Sequence, residues 1–163
     1  EPKAVWNHFA DLNAVPRPSK KEERVIEFAV NFGKSLGLET FTDKVGNVII
    51  RKPATKGMED RKMVVMQGHL DMVHQKNADT VFDFDTQGIE MYVDGDWVCA
   101  RGTTLGADNG LGVATIMAIL ESAIFWIVVA AASEIIALTP LKSNSVIQLV
   151  LSALNSIKPS KKI

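Results

Sequence analysis

Gln67-Gly68-His69-Leu70-Asp71 sets a histidine and an aspartate two residues apart, just after the continuous apolar run Met63-Val64-Val65-Met66. In extended chain, residues two apart point the same way, so His69 and Asp71 can face one cavity. Imidazole nitrogen is a good zinc ligand, and a carboxylate that accepts the other ring proton fixes the tautomer and the ring orientation. The same spacing also describes a strand end with two surface polar residues, and for an isolated His-x-Asp that plainer reading prevails. A second stretch, Arg101-Gly102-Thr103-Thr104-Leu105-Gly106-Ala107-Asp108-Asn109-Gly110-Leu111-Gly112, places one carboxylate, Asp108, in a glycine-bracketed loop ahead of an apolar helix. Glycines let backbone approach another group closely, and a carboxylate there can bridge two cations with its two oxygens. Alternatively, Asp108 or Asn109 caps the helix by accepting backbone protons in its first turn.

These residues need elements to hold them. Val5, Phe9 and Leu12 recur at helical spacing within residues 4–15, and Pro16-Arg17-Pro18 ends that helix. Ser19 followed by Glu22 has capping-box spacing, and Val25, Ile26, Ala29, Phe32 and Leu36 form an apolar face that stops at Gly37. Residues 40–42 and 48–51 are short strand candidates around the turn Lys44-Val45-Gly46-Asn47, followed by a polar loop from Pro53 to Asp60. Met63-Val64-Val65-Met66 is the kind of run expected for a strand buried on both faces of a sheet, with the chemistry starting at its end. Tyr92 to Val98 reads as a hairpin turning at Asp94-Gly95. The glycine-rich loop leads into an apolar helix through Leu120, and Phe125 to Val129 is another buried strand candidate. Helices alternating with buried strands argue for a layered α/β domain occupying residues 1–163, with a polar end at Lys158-Pro159-Ser160-Lys161-Lys162.

Composition narrows the function classes. A chain of 163 residues with 47% hydrophobic content can bury a core. A formal charge of −1 with scattered basic residues argues against nucleic acid. The single cysteine, Cys99, forms no internal disulfide, and the amino terminus shows no secretory pattern, so a reducing, cytoplasmic setting is expected. The apolar stretch from Ala123 to Leu138 is interrupted by Glu134 and is shorter than the roughly 20 apolar residues of a membrane span, so it is expected to be buried protein. His74 and Cys99 read as surface or strand residues, and Trp6, Trp97 and Trp126 as core or strand-surface aromatics.

Taken together, Gly68-His69-Leu70-Asp71-Met72-Val73 and the Arg101–Gly110 stretch resemble the signature of the aminoacyl-histidine dipeptidases, within the di-zinc peptidases that include aminoacylases and carboxypeptidase G. Pro16-Arg17-Pro18-Ser19-Lys20-Lys21-Glu22-Glu23 and His74-Gln75-Lys76-Asn77 are similar to that group as well. The resemblance runs from about Val5 to Glu121, the opening part of a family member. It implies a three-layer sandwich whose mixed, mostly parallel sheet is flanked by helices. It implies that His69 binds one zinc, Asp71 orients that imidazole, and Asp108 bridges two zincs, with a cis peptide link after the bridging aspartate. A dipeptide of the Xaa-His type is the implied substrate, a homodimer the implied assembly, and proteolysis in the cytoplasm the implied activity.

The family pattern breaks after Ser122. Two adjacent glutamates, a general base and then a zinc ligand, have their best counterpart in Glu134 and Ile135, and isoleucine cannot coordinate a metal. For Glu134 a solvent-facing carboxylate at a strand end is the alternative to the base. A later aspartate ligand falls near Lys158, and the distal histidine ligand falls beyond Ile163. His69 and Asp108 alone make two ligands, whereas a catalytic zinc has three protein ligands plus water. Two function classes therefore stand: a zinc dipeptidase working through metal-activated water, and a non-catalytic remnant that keeps the scaffold and binds a metal ion or a partner protein. A membrane-associated fragment anchored by the apolar tail ranks last.

Overall fold

The computed structural model describes residues 2–122. The strand candidate at Phe125 to Val129 and the residues Trp126, Glu134, Ile135 and Lys158 lie outside the described residues. Glu1–Lys52 with Gln67–Glu121 forms one compact unit, and Pro53–Met66 belongs to a second.

Helix α1, Lys3–Ala14, ends where Pro16 requires: Val15, the residue before the proline, is extended at φ −91° and ψ 121°. Its Phe9 and Leu12 are fully buried. Helix α2, Glu23–Ser35, stops at Gly37, whose φ of +69° suits glycine. There Leu38 N–H donates to Gly33 O at 3.1 Å and Gly37 N–H to Lys34 O at 2.9 Å, a Schellman ending. The start of α2 differs from the capping box. Glu22 precedes the helix without a side-chain cap, and Ser19 turns elsewhere. The reason is a tight turn: Lys21 N–H donates to Pro18 O at 3.0 Å with Lys20 at φ +72°, which carries Ser19 away from the helix start.

Strands β1, Glu39–Thr42, and β2, Val48–Arg51, pair antiparallel with Thr42 opposite Val48. Asp43 organises their turn, accepting from Val45 N–H and Asn47 N–H at 2.9 Å and from Asn47 Nδ2 at 2.8 Å. The Asn47 side chain, then the backbone N–H groups, hold the Asp43 carboxyl below the usual carboxylate range. A folded value below the unfolded one means a contribution to stability that is complete above the ordinary carboxylate range and lost as pH falls through the folded value. Asp43→Asn should therefore lower the urea midpoint at neutral pH, with the gap to the parent chain narrowing below about pH 4. A gap equal at pH 7 and pH 3, on the scale of carboxylate titration, would remove charge as the cause.

Strands β3, Met91–Asp94, and β4, Trp97–Ala100, form the second hairpin, with Asp94 opposite Trp97. The turn is Gly95-Asp96, one residue later than Asp94-Gly95, and Gly95 supplies the positive φ of +58°. Helix α3, Ala107–Glu121, packs on α1. Leu12, Val25, Val113 and Met117 form the core, with Val15, Phe28, Phe32 and Leu70 packed against it. At about 1.5 to 3 kcal/mol for each fully buried large apolar side chain, this cluster is the main force holding α1, α2 and α3 together. His8 Nε2 and Glu121 Oε2, 3.0 Å apart, join the middle of α1 to the last residue of α3.

The architecture is α/β, but both sheets are two-stranded and antiparallel, and no parallel sheet is present among the described residues. Met63-Val64-Val65-Met66 is not the buried strand its composition suggests: exposures of 89%, 40%, 82% and 37% leave it open, and no described segment pairs with it. An apolar run becomes a central strand only when strands flank it and helices cover both faces. Among the described residues no helix is long and apolar enough to cross a membrane.

Candidate metal centre

Two backbone joints bring the chemical residues together. On one side, Met72 N–H donates to Arg17 O at 3.0 Å and Ser19 N–H to Met72 O at 3.1 Å, a parallel bridge between the segment after α1 and the His69 segment. On the other, Asn77 N–H donates to Gly102 O and Thr104 N–H to Gln75 O, both at 2.8 Å, and Thr104 Oγ1 donates to Val73 O at 2.7 Å. The chain from Leu70 to Asn77 is thus fastened to the segment after α1 at one end and to the glycine-rich loop at the other.

The structure brings His69, Asp71 and Asp108 together. His69 Nδ1 lies 3.0 Å from Asp71 Oδ1 and 3.1 Å from Asp71 O, so this nitrogen carries the proton and donates to oxygen. Asp71 Oδ2 is held in turn by the Ser19 hydroxyl, which donates at 2.6 Å. The Ser19 hydroxyl holds the Asp71 carboxyl below the usual carboxylate range, with His69 acting the same way and burial opposing both. An ionised Asp71 with both oxygens engaged keeps the imidazole in one tautomer and one orientation.

That tautomer leaves the Nε2 lone pair free, and it faces Asp108 Oδ1 at 3.5 Å. The Asp108 side chain is 94% exposed, and its backbone is non-helical at φ −94° and ψ 109°. The peptide link from Asp108 to Asn109 is cis, as the resemblance implied. The capping alternative for Asp108 is not realised: among the described residues no backbone N–H donates to its carboxylate, and Gly110 N–H bonds Gly106 O at 3.1 Å at the helix start.

An imidazole lone pair facing a carboxylate oxygen repels it unless positive charge lies between them, either a proton on Nε2 or a cation. At 3.5 Å the pair is long for an N–H···O bond, whose usual range is about 2.7 to 3.2 Å. Two ligands of a tetrahedral zinc, each bound at about 2.1 Å, stand about 3.4 Å apart. That spacing is one at which the two side chains could hold a single cation between them. No group of three or more metal-binding side chains occurs among the described residues, and His69 with Asp108 supplies two candidate ligand groups.

The sequence pattern did not single out Arg17, Asn13 or Ser19 as site residues. Arg17 is 1% exposed and Asn13 fully buried beside it. Burial lowers the Arg17 guanidinium to about 10, with the Asp71 charge opposing, so it stays a cation at neutral pH. Asn13 neighbours Leu12 on the buried side of α1, which implied a polar partner without saying which. His74 packs edge-on against Phe84 with ring centroids 5.7 Å apart, and Cys99 is half-buried in β4.

The chain is 55% identical over 119 residues to the cytosol non-specific dipeptidase of Escherichia coli strain K12, covering 73% of this chain and 24% of that protein. The structure matches the crystal structure of aminoacylhistidine dipeptidase from Vibrio alginolyticus with a TM-score of 0.73 and 48% identity, over 75% of this chain and 25% of that one. Over that stretch the chain is a homologue of these dipeptidases. The chain spans about a quarter of the length of these dipeptidases, and the stretch similar to them includes His69, Asp71 and Asp108. No protein-family model matches the chain.

Proposed function

We propose that this chain carries the zinc-binding front part of a dipeptidase catalytic domain, acting on Xaa-His dipeptides in the cytoplasm. The observation that supports it most is the 3.5 Å separation between His69 Nε2 and Asp108 Oδ1, with the other imidazole nitrogen tied to Asp71. His69 and Asp108 are the residues that would hold the metal, with Asp108 able to reach a second ion through its other oxygen. Zinc bound there supplies a water of lowered pKa and polarises a substrate carbonyl. Asp71 keeps His69 oriented, Ser19 keeps Asp71 ionised, and Glu134 is the residue placed by resemblance to accept a proton from the attacking water. The three-layer sandwich with its mostly parallel sheet, and the homodimer, belong to this same reading.

Ile135 and Lys158 stand where the resemblance places further ligands, which favours the second reading, a scaffold that binds one cation or a partner without turnover. Zinc titration by calorimetry on the 163-residue chain, with Gly-His or β-alanyl-histidine hydrolysis assayed on the same sample, separates the two. Two tightly bound zincs with turnover are expected of the dipeptidase. A single weak site without turnover would leave the scaffold reading, and no binding at all would sink the metal centre.

A further inference from the structure

We propose that Arg17 is the positioning residue that holds the two halves of this site at one separation, an inference that rests on the metal-centre reading. Its planar guanidinium is a fork with one tine on each half. Nη1 donates to Leu70 O at 3.0 Å and Asp71 O at 3.3 Å, on the backbone that carries His69 and Asp71. Nη2 donates to Gly106 O at 2.8 Å, two residues before Asp108, and to Asn13 Oδ1 at 2.7 Å. Asn13 Nδ2 extends the grip by donating to Leu105 O at 3.0 Å.

Three observations mark this as more than core packing. All four acceptors are neutral oxygens, so the cation is buried without a directly bonded carboxylate, and Nε has no partner among the described residues. Burying a charge in this way is unfavourable unless its hydrogen bonds do something that an apolar side chain cannot. The glycines of the second half are spaced for the fork: a Cβ at Gly106 would lie 2.5 Å from Nη2, and one at Gly110 would lie 2.8 Å from it. Finally, the Arg17 carbonyl accepts from Met72 N–H, so backbone and side chain of one residue grip the same segment. Lysine offers a point charge on a flexible stem and cannot span both halves.

Amide hydrogen exchange by NMR on the full chain tests this without any metal. In Arg17→Lys, exchange at Ser19, Met72 and Gly110 is expected to accelerate at least about tenfold, while Ile26 in α2 and Asp43 in the first hairpin stay within about twofold. Uniform acceleration at all five amides, or none, would overturn the proposal, because generic core packing loosens everything together. Should Arg17→Lys fail to fold, the parent chain still decides. A guanidinium gripped at both ends rotates slowly and shows separate Nη1 and Nη2 proton resonances, whereas one averaged resonance would refute the clamp. Zinc calorimetry on Arg17→Lys supplies the functional half: affinity weakened about 10- to 100-fold is expected of a residue acting through the ligands. Parent-like zinc affinity in the variant would overturn the positioning role. If the parent chain itself binds no zinc, the metal-centre reading fails while the exchange and resonance results still decide the clamp.

Discussion

Asp108→Ala should weaken zinc binding by more than about 100-fold, exceeding the 10- to 100-fold typical of residues that only support a ligand. The argument starts from exposure. Asp108 is 94% exposed, and its one polar contact among the described residues is His69 Nε2, so removing the carboxylate deletes little packing. Substitutions at such positions shift stability by about 0.5 kcal/mol or less. Binding should therefore collapse while the thermal transition hardly moves, a combination that a structural role does not produce. The carboxylate is one of the two proposed ligand groups, and losing it would leave a single imidazole, which water displaces readily. Calorimetry of parent and variant, with circular dichroism on both, reads the two effects separately. An unchanged dissociation constant would remove Asp108 from the site, and any hydrolysis surviving in the variant would remove it from the reaction.

Gly106→Ala should destabilise the fold by about 2 to 5 kcal/mol, the sum of two costs that arise together. The left-handed φ of +71° disfavours any Cβ by about 1 to 2 kcal/mol. The new methyl would also lie 2.5 Å from Arg17 Nη2 and 3.0 Å from Met72 Sδ, side chains that are 1% and 2% exposed and have nowhere to retreat. Overpacking of that kind costs about 1 to 3 kcal/mol. Gly37 provides the control. Its φ is +69°, but a Cβ there would meet nothing within 4 Å, so Gly37→Ala carries the dihedral cost alone. Urea titration of both variants should show Gly106→Ala the more destabilised by at least about 1 kcal/mol. Equal losses would mean that the guanidinium yields, and that the glycine serves only its backbone angle.

The legibility of the fold followed the range of the interactions. Both amino-terminal helices, both hairpins and the glycine stop at Gly37 were readable because period, turn residues and proline breaks act within a few residues of chain. The capping box at Ser19 and Glu22 misled for the opposite reason. Its spacing is local, but the Ser19 hydroxyl is taken by Asp71, 52 residues away. Met63 to Met66 shows the same limit, since an apolar run records what a segment can bury and says nothing of whether neighbours cover it.

For the site, residue types and spacing by themselves allowed His69 and Asp71 to face one cavity and put Asp108 in a glycine-bracketed loop. These are consequences of side-chain chemistry and of the two-residue repeat of extended chain. Only the tertiary structure decided that the Nε2 lone pair meets Asp108 at 3.5 Å, that Ser19 completes the relay behind it, and that a buried arginine spans both halves. Each of those depends on backbone carbonyls and hydroxyls that nearly every sequence offers, selected here by where the chain brings them. A carbonyl oxygen carries no residue name, so the partners of Arg17 could not be read before the fold placed them.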